Sequence, residues 1–211
     1  MAVVIFLNGK PRSGKDTVAE ILIENFDAKL LKMTEPIDAA FQALFDLEDY
    51  EFTRLREQFK DELGHLPSGP GYDASLRDFY IKFSEHFLKP LLGPDIFGRL
   101  AGHRMRYLLG LGNSVVISDC GFRDEVKAIA DGIPESTQLY GVLVDRDGTE
   151  WDSREPVDFD SLGIESITID NNDSLRQLEQ VVLNVAQELI GLRPNVDYAN
   201  RLLQEAFDFG E

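Results

Sequence analysis

The stretch Gly9-Lys10-Pro11-Arg12-Ser13-Gly14-Lys15-Asp16-Thr17 has the form GxxxxGK followed by Asp-Thr. Before it runs Ala2-Val3-Val4-Ile5-Phe6-Leu7, closed by Asn8. An apolar run this continuous suits a parallel strand buried on both faces. After it, Val18, Ile21, Leu22 and Phe26 recur at helical spacing, so residues 15–26 read as an amphipathic helix. Strand, glycine loop, helix is the setting in which this motif binds phosphate. Backbone N–H groups of a tight loop converge on phosphate oxygens. The helix N-terminus adds donors and a partial positive charge. Gly9 and Gly14 permit backbone angles and close approach that a side chain would block. Lys15 is expected to reach the β- and γ-phosphates of a nucleoside triphosphate. The expected phosphate-binding set is Gly9, Arg12, Ser13, Gly14, Lys15, Asp16 and Thr17.

One position departs from the common pattern. A Ser or Thr hydroxyl usually follows the lysine and binds Mg²⁺; here Asp16 follows it and the hydroxyl comes at Thr17. Asp16 or Thr17 is therefore expected on the metal side, directly or through water. Asp119 ends a second apolar run, Ser114-Val115-Val116-Ile117-Ser118, where P-loop enzymes place the acid that holds the metal's water shell. The candidate Mg²⁺ residues are Asp16, Thr17 and Asp119. Cys120 beside them reads as a small packing residue, and as the one cysteine it has no intrachain partner for a disulfide.

Phosphoryl transfer needs charge stabilisation, and arginines supply it. Arg12 lies in the loop and Arg123 four residues after Asp119. Arg146 and Arg154 sit in a polar, aperiodic stretch, residues 146–160, after a third apolar run, Leu139-Tyr140-Gly141-Val142-Leu143-Val144-Asp145. Ligands of open α/β sheets bind at that end of the strands, so the arginines of this loop are candidates for the site. The candidate catalytic residues are Lys15, Asp16, Asp119, Arg123, Arg146 and Arg154. His65, His86 and His103 lack a spacing that suggests a metal cage.

Outward from these runs, residues 28–31 and 166–170 read as short strands, the latter followed by Asn171-Asn172-Asp173-Ser174 turn and N-cap chemistry. Helical patterns cover residues 36–45, 50–63, 75–92, 95–109, 123–129, 175–190 and 197–207, with a Pro/Gly-rich break at 66–71. No strand signal appears from about 33 to 113. The expectation is one α/β domain over residues 1–211: a parallel sheet flanked by helices, with a helical insertion at about 36–112 and a polar loop at about 146–160. The length, 211 residues with 43% hydrophobic, suits one packed domain. A net charge of −17 weighs against a broad nucleic-acid-binding surface. No apolar run approaches a membrane helix, and the N-terminal run has no basic flank or cleavage site of a signal peptide.

Phe6-Leu7-Asn8-Gly9-Lys10-Pro11-Arg12-Ser13-Gly14-Lys15-Asp16-Thr17 resembles the start of phage deoxynucleoside monophosphate kinases, within the P-loop nucleoside monophosphate kinase branch. Glu35-Pro36-Ile37, Val116-Ile117-Ser118-Asp119-Cys120-Gly121-Phe122-Arg123 and Asp152-Ser153-Arg154 look similar to that family's next helix, acid-bearing strand and lid. The resemblance implies a P-loop kinase that moves the γ-phosphoryl group of ATP, with Mg²⁺, to a deoxynucleoside monophosphate, with the helical insertion at about 36–112 binding the acceptor and residues 146–160 acting as a lid. It implies small-molecule nucleotide partners, no membrane and a cytoplasmic setting, that of the host if the chain is phage-encoded; homodimerisation stays open. The same branch is similar to phage kinases acting on the hydroxymethyl group of a 5-hydroxymethylpyrimidine in DNA. A hydroxyl acceptor needs a general base, for which Asp119, Asp16, Asp38 and Glu85 are candidates. A non-catalytic P-loop switch protein is the remaining alternative.

Overall fold

A computed structural model describes residues 2–66, 74–151 and 156–208. Its contacts divide the chain into two compact units, one of Met1–Met33 and Gly98–Glu211, the other of Thr34–Phe97.

The first unit is built on a five-stranded parallel sheet in the order β2-β3-β1-β4-β5. The strands are β1 (Val3–Asn8), β2 (Ala28–Leu31), β3 (Ser114–Ile117), β4 (Gln138–Asp145) and β5 (Glu165–Asp170). All six residues of β1 are buried, as its unbroken apolar run requires of a central strand with neighbours on both sides. On one face Val3, Ile5 and Leu7 pack against Val18, Leu22, Leu178 and Val182 from the helices α1 (Lys15–Asn25) and α8 (Leu175–Asn184). Ser174 caps α8, its hydroxyl accepting from the Gln177 N–H while Gln177 reaches back, which is the start signal read from the sequence. The remaining helices are α6 (Ile96–Gly110, all but its first two residues in this unit), α7 (Arg123–Gly132) and α9 (Val196–Asp208).

The second unit is helical. It holds α2 (Glu35–Phe45), α3 (Asp49–Gln58), α4 (Leu76–Ile81) and α5 (Lys89–Leu92). Pro36 sits in the first turn of α2, where its missing N–H costs nothing. Phe41 centres an aromatic core, with Phe45, Phe52 and Phe79 at ring-centroid distances of 4.6, 6.0 and 4.8 Å.

The expected helices differ from the structure in their details. The single helix over 75–92 is interrupted by a π-helix, Lys82–Leu88, between α4 and α5. Its turn is wider, closed by i→i+5 bonds. Along this segment Phe79, Phe83 and Phe87 stack in sequence at 5.3 and 5.6 Å. The helix over 175–190 likewise ends as a π-helix, Val185–Leu189. The pattern over 50–63 stops being helical at Gln58.

Candidate phosphate-binding site

The sequence places its functional candidates at the C-terminal ends of strands, and the fold gathers those ends along one sheet edge. Residues 9–14 leave the end of β1, the strand with β3 on one side and β4 on the other. That is the crevice position where open α/β sheets bind ligands.

The loop's shape comes from its backbone. Arg12 and Gly14 both have positive φ, 64° and 101°, around Ser13. Gly9 adopts φ 151°, and a Cβ there would meet the Val144 carbonyl oxygen at 2.3 Å and the Ser13 Oγ at 2.7 Å. Gly14 is the N-cap of α1 and makes no side-chain cap bond to its first turn. The opening N–H groups of the helix have no intrahelical acceptor. Lys15 reaches back across the loop, its Nζ donating to the carbonyls of Gly9 and Lys10 at 2.8 and 2.7 Å. Ser13 Oγ is fully buried and has no hydrogen-bond partner among the described residues.

Two neighbours hold the loop in place. Asn171, just past β5, donates its Nδ2 to the Ser13 carbonyl at 2.8 Å, while its own N–H bonds the Asp145 carbonyl. Lys10 Nζ lies 3.0 Å from Asp145 Oδ1 at the end of β4. The asparagine was read from sequence only as turn chemistry; its loop-anchoring contact had no local signal.

Asp119 follows β3 and is half-buried, with Oδ1 accepting the Met33 N–H at 2.8 Å. Part of its carboxylate thus ties the β2 end to the β3 end. Asp16 is largely exposed and 3.5 Å from Lys32 Nζ. Thr17 is half-buried in the first turn of α1. Among the described residues no three or more His, Cys, Asp or Glu side chains gather to hold a metal. The acids present fit a Mg²⁺ ion that arrives with nucleotide oxygens and water, which is how this ion is ordinarily bound, and not an all-protein cage. Cys120 is buried, and burial, followed by the Glu125 and Asp119 charges, pushes its thiol well above the usual range. It is an inert packing residue at neutral pH.

Of the candidate arginines, Arg12 is exposed at the loop's bend. Arg123 opens α7 and its Nε donates to Ser161 Oγ at 3.3 Å. Arg146 is exposed just after β4, in a turn closed by Thr149 Oγ1 donating to the Arg146 carbonyl. Arg154 and its neighbours 152–155 lie outside the described residues. The far limb of the 146–160 stretch packs on the sheet: Val157 and Phe159 are buried, Phe159 with its ring 6.3 Å from that of Phe6.

In the second unit, Asp38 is buried and engaged, accepting from Tyr80 Oη at Oδ1 and from Arg56 Nη1 at Oδ2, 2.7 Å. Burial, and then the bond to Asp38, raises the Tyr80 phenol far above its ordinary value. Glu85 pairs with Lys89 at 2.8 Å. Arg77 pairs with Asp61.

The chain thus has an α/β fold of the P-loop kind: a parallel sheet flanked by helices, with a glycine loop leading from the central strand into a helix. No protein-family model and no curated protein sequence matches it. Among solved structures it is similar to an unliganded sugar kinase from a Janibacter species, at 14% identity and TM-score 0.43 over 87% of this chain and 93% of that one. It is similar to a provisionally assigned kinase from Chloroflexus aurantiacus at the same identity and score, over 88% of this chain and 96% of that one. Likenesses this distant identify neither substrate nor mechanism.

Proposed function

We propose that the chain is a kinase that transfers the γ-phosphoryl group of ATP to a deoxynucleoside monophosphate. The observation that carries this is the loop 9–14 and its helix: positive φ at Arg12 and Gly14, an α1 start with no side-chain cap, and the Lys15 ammonium held at the loop. A glycine loop, a helix N-terminus and an ammonium at the loop are parts that hold a donor triphosphate; the acceptor rests on the resemblance of residues 6–17 to deoxynucleoside monophosphate kinases.

In this reading an oxygen of the acceptor phosphate attacks the γ-phosphorus, the bond to the β–γ bridging oxygen breaks, and ADP leaves. The acceptor oxygen is already anionic, so no general base is required. Lys15 exchanges its bonds to the Gly9 and Lys10 carbonyls for bonds to the β- and γ-phosphates. Mg²⁺, when bound, neutralises charge on those phosphates. Asp119, with Asp16 and Thr17, would hold its water shell. Arg123, at the start of α7, and Arg146, just after β4, supply positive charge, and Arg154 is the further arginine the sequence offers for this role.

Of the four acids that a hydroxyl acceptor could use as its base, two are engaged, which leaves Asp16 and Asp119. Asp38 is taken up by Arg56 and Tyr80, and Glu85 by Lys89, so neither is poised as the base a hydroxymethylated DNA base demands. The partners proposed are small nucleotides.

The test is a label-transfer screen with γ-labelled ATP and Mg²⁺ against each dNMP, each NMP, simple sugars and duplexes carrying hydroxymethylpyrimidines. Labelled deoxynucleoside diphosphate is the expected product. Label appearing only in duplex or only in sugar would replace the acceptor proposed here.

A further inference from the structure

Asn8 is the last residue of β1 and is 1% exposed. A polar side chain buried this deeply in a central strand costs stability unless every donor and acceptor is met. Its Nδ2 donates to the Cys120 carbonyl at 2.8 Å, and its Oδ1 accepts the Val157 N–H at 3.3 Å. The two partners fix the orientation of the amide, because the flipped form would set oxygen against oxygen and N–H against N–H. They also fix the residue type. An aspartate cannot donate to the carbonyl when ionised, and an apolar isostere leaves a buried carbonyl and a buried N–H unmet.

Each partner adjoins a different part of the candidate site. Cys120 follows Asp119, whose Oδ1 holds the Met33 N–H. Val157 begins the buried return limb that follows β4, two residues before Phe159, whose ring packs near Phe6. Asn8 itself is bonded in sequence to Gly9, the first residue of the phosphate loop. One side chain therefore links three segments that are far apart in sequence.

We infer that Asn8 is a positioning residue, setting Asp119 and the return limb at Val157 in register with the phosphate loop. The inference rests on the kinase reading above for its effect on catalysis, while the structural link stands apart from it. Residues that orient a site's ligating groups from behind typically cost roughly 10–100-fold in metal affinity or activity when removed.

The experiment compares wild type, Asn8→Ala and Asn25→Ala. Asn25 is an equally buried asparagine, 3% exposed, whose Nδ2 bonds the Ile21 carbonyl within α1. Hydrogen–deuterium exchange is read on peptides spanning 119–123 and 156–160, together with ATP affinity, Mg²⁺ requirement and kcat. Asn8→Ala should speed exchange in both peptides, raise the Mg²⁺ requirement and lower kcat by about 10–100-fold, with ATP affinity measured without Mg²⁺ little changed. Asn25→Ala should do none of these below its melting temperature. Even exchange across the chain in Asn8→Ala, or a response in only one peptide, would make Asn8 a packing residue and overturn the inference. So would a normal kcat and Mg²⁺ requirement in a variant with both peptides loosened. If both peptides respond but wild type neither binds nor turns over MgATP, the kinase reading fails and the three-way link survives. Should Asn8→Ala not fold, the wild-type Asn8 side-chain amide supplies the test by NMR. Its protons should be strongly protected from exchange, and solvent-like exchange would sink the link.

Discussion

Gly14 must be glycine for two separate reasons. Its φ of 101° is a conformation that side-chain-bearing residues rarely adopt, and a Cβ would stand 2.3 Å from Asn171 Nδ2. Gly14→Ala is therefore expected to destabilise the protein by about 1–3 kcal/mol in denaturant unfolding. Asn171→Ala in the same background should recover only the part due to the clash, leaving the backbone strain, so the double-mutant cycle will not be additive. Gly9, Gly14 and Lys15 were legible in the sequence because their reasons are local: spacing, a strand before and a helix after. Asn8 and Asn171 were not. Their partners lie 112, 149 and 158 positions away, and a polar residue at the end of an apolar run looks the same whether it turns the chain or pins a loop.

Among the elements, strand positions were the most readable, because a buried parallel strand needs an unbroken apolar run. β2 runs over the expected residues, and β1, β3, β4 and β5 shift by a residue or two at their ends. The π-helices were not readable, since phenylalanines four apart satisfy a helical pattern whether the turn closes at i+4 or i+5. The return limb of the 146–160 stretch is fixed by Phe159, whose ring atoms would lie 2.3 Å from a Cβ at Gly141 in β4. Gly141→Ala should push Phe159 off the sheet at a cost of about 1–3 kcal/mol, seen as a lower melting temperature with protease cleavage newly focused near residue 159. In the second unit, Tyr80→Phe removes one of the two donors to buried Asp38. A loss of about 1–3 kcal/mol by thermal melt is expected, with little change in ATP affinity. No change in stability would mean the Tyr80–Asp38 bond is not formed in solution.

For the whole molecule, a charge of −17 makes phosphate-backbone binding unfavourable, because such binding draws its energy from basic residues displacing counterions. Fluorescence anisotropy with duplex DNA, plain or hydroxymethylated, should show no saturable binding near physiological salt; tight, salt-sensitive binding would favour a DNA acceptor. No helix among the described residues is long and apolar enough to cross a membrane. The central claim is that residues 9–17 hold the phosphates of a donor triphosphate for transfer. It is tested most directly by measuring γ-phosphoryl transfer from MgATP to deoxynucleoside monophosphates by wild type and by Lys15→Ala, with folding of both confirmed by circular dichroism. The account predicts transfer by wild type and a fall of about 10³-fold or more in the variant, in line with the charge stabilisation such groups provide. Undiminished transfer by a folded Lys15→Ala protein, or no triphosphate binding by wild type, would contradict it.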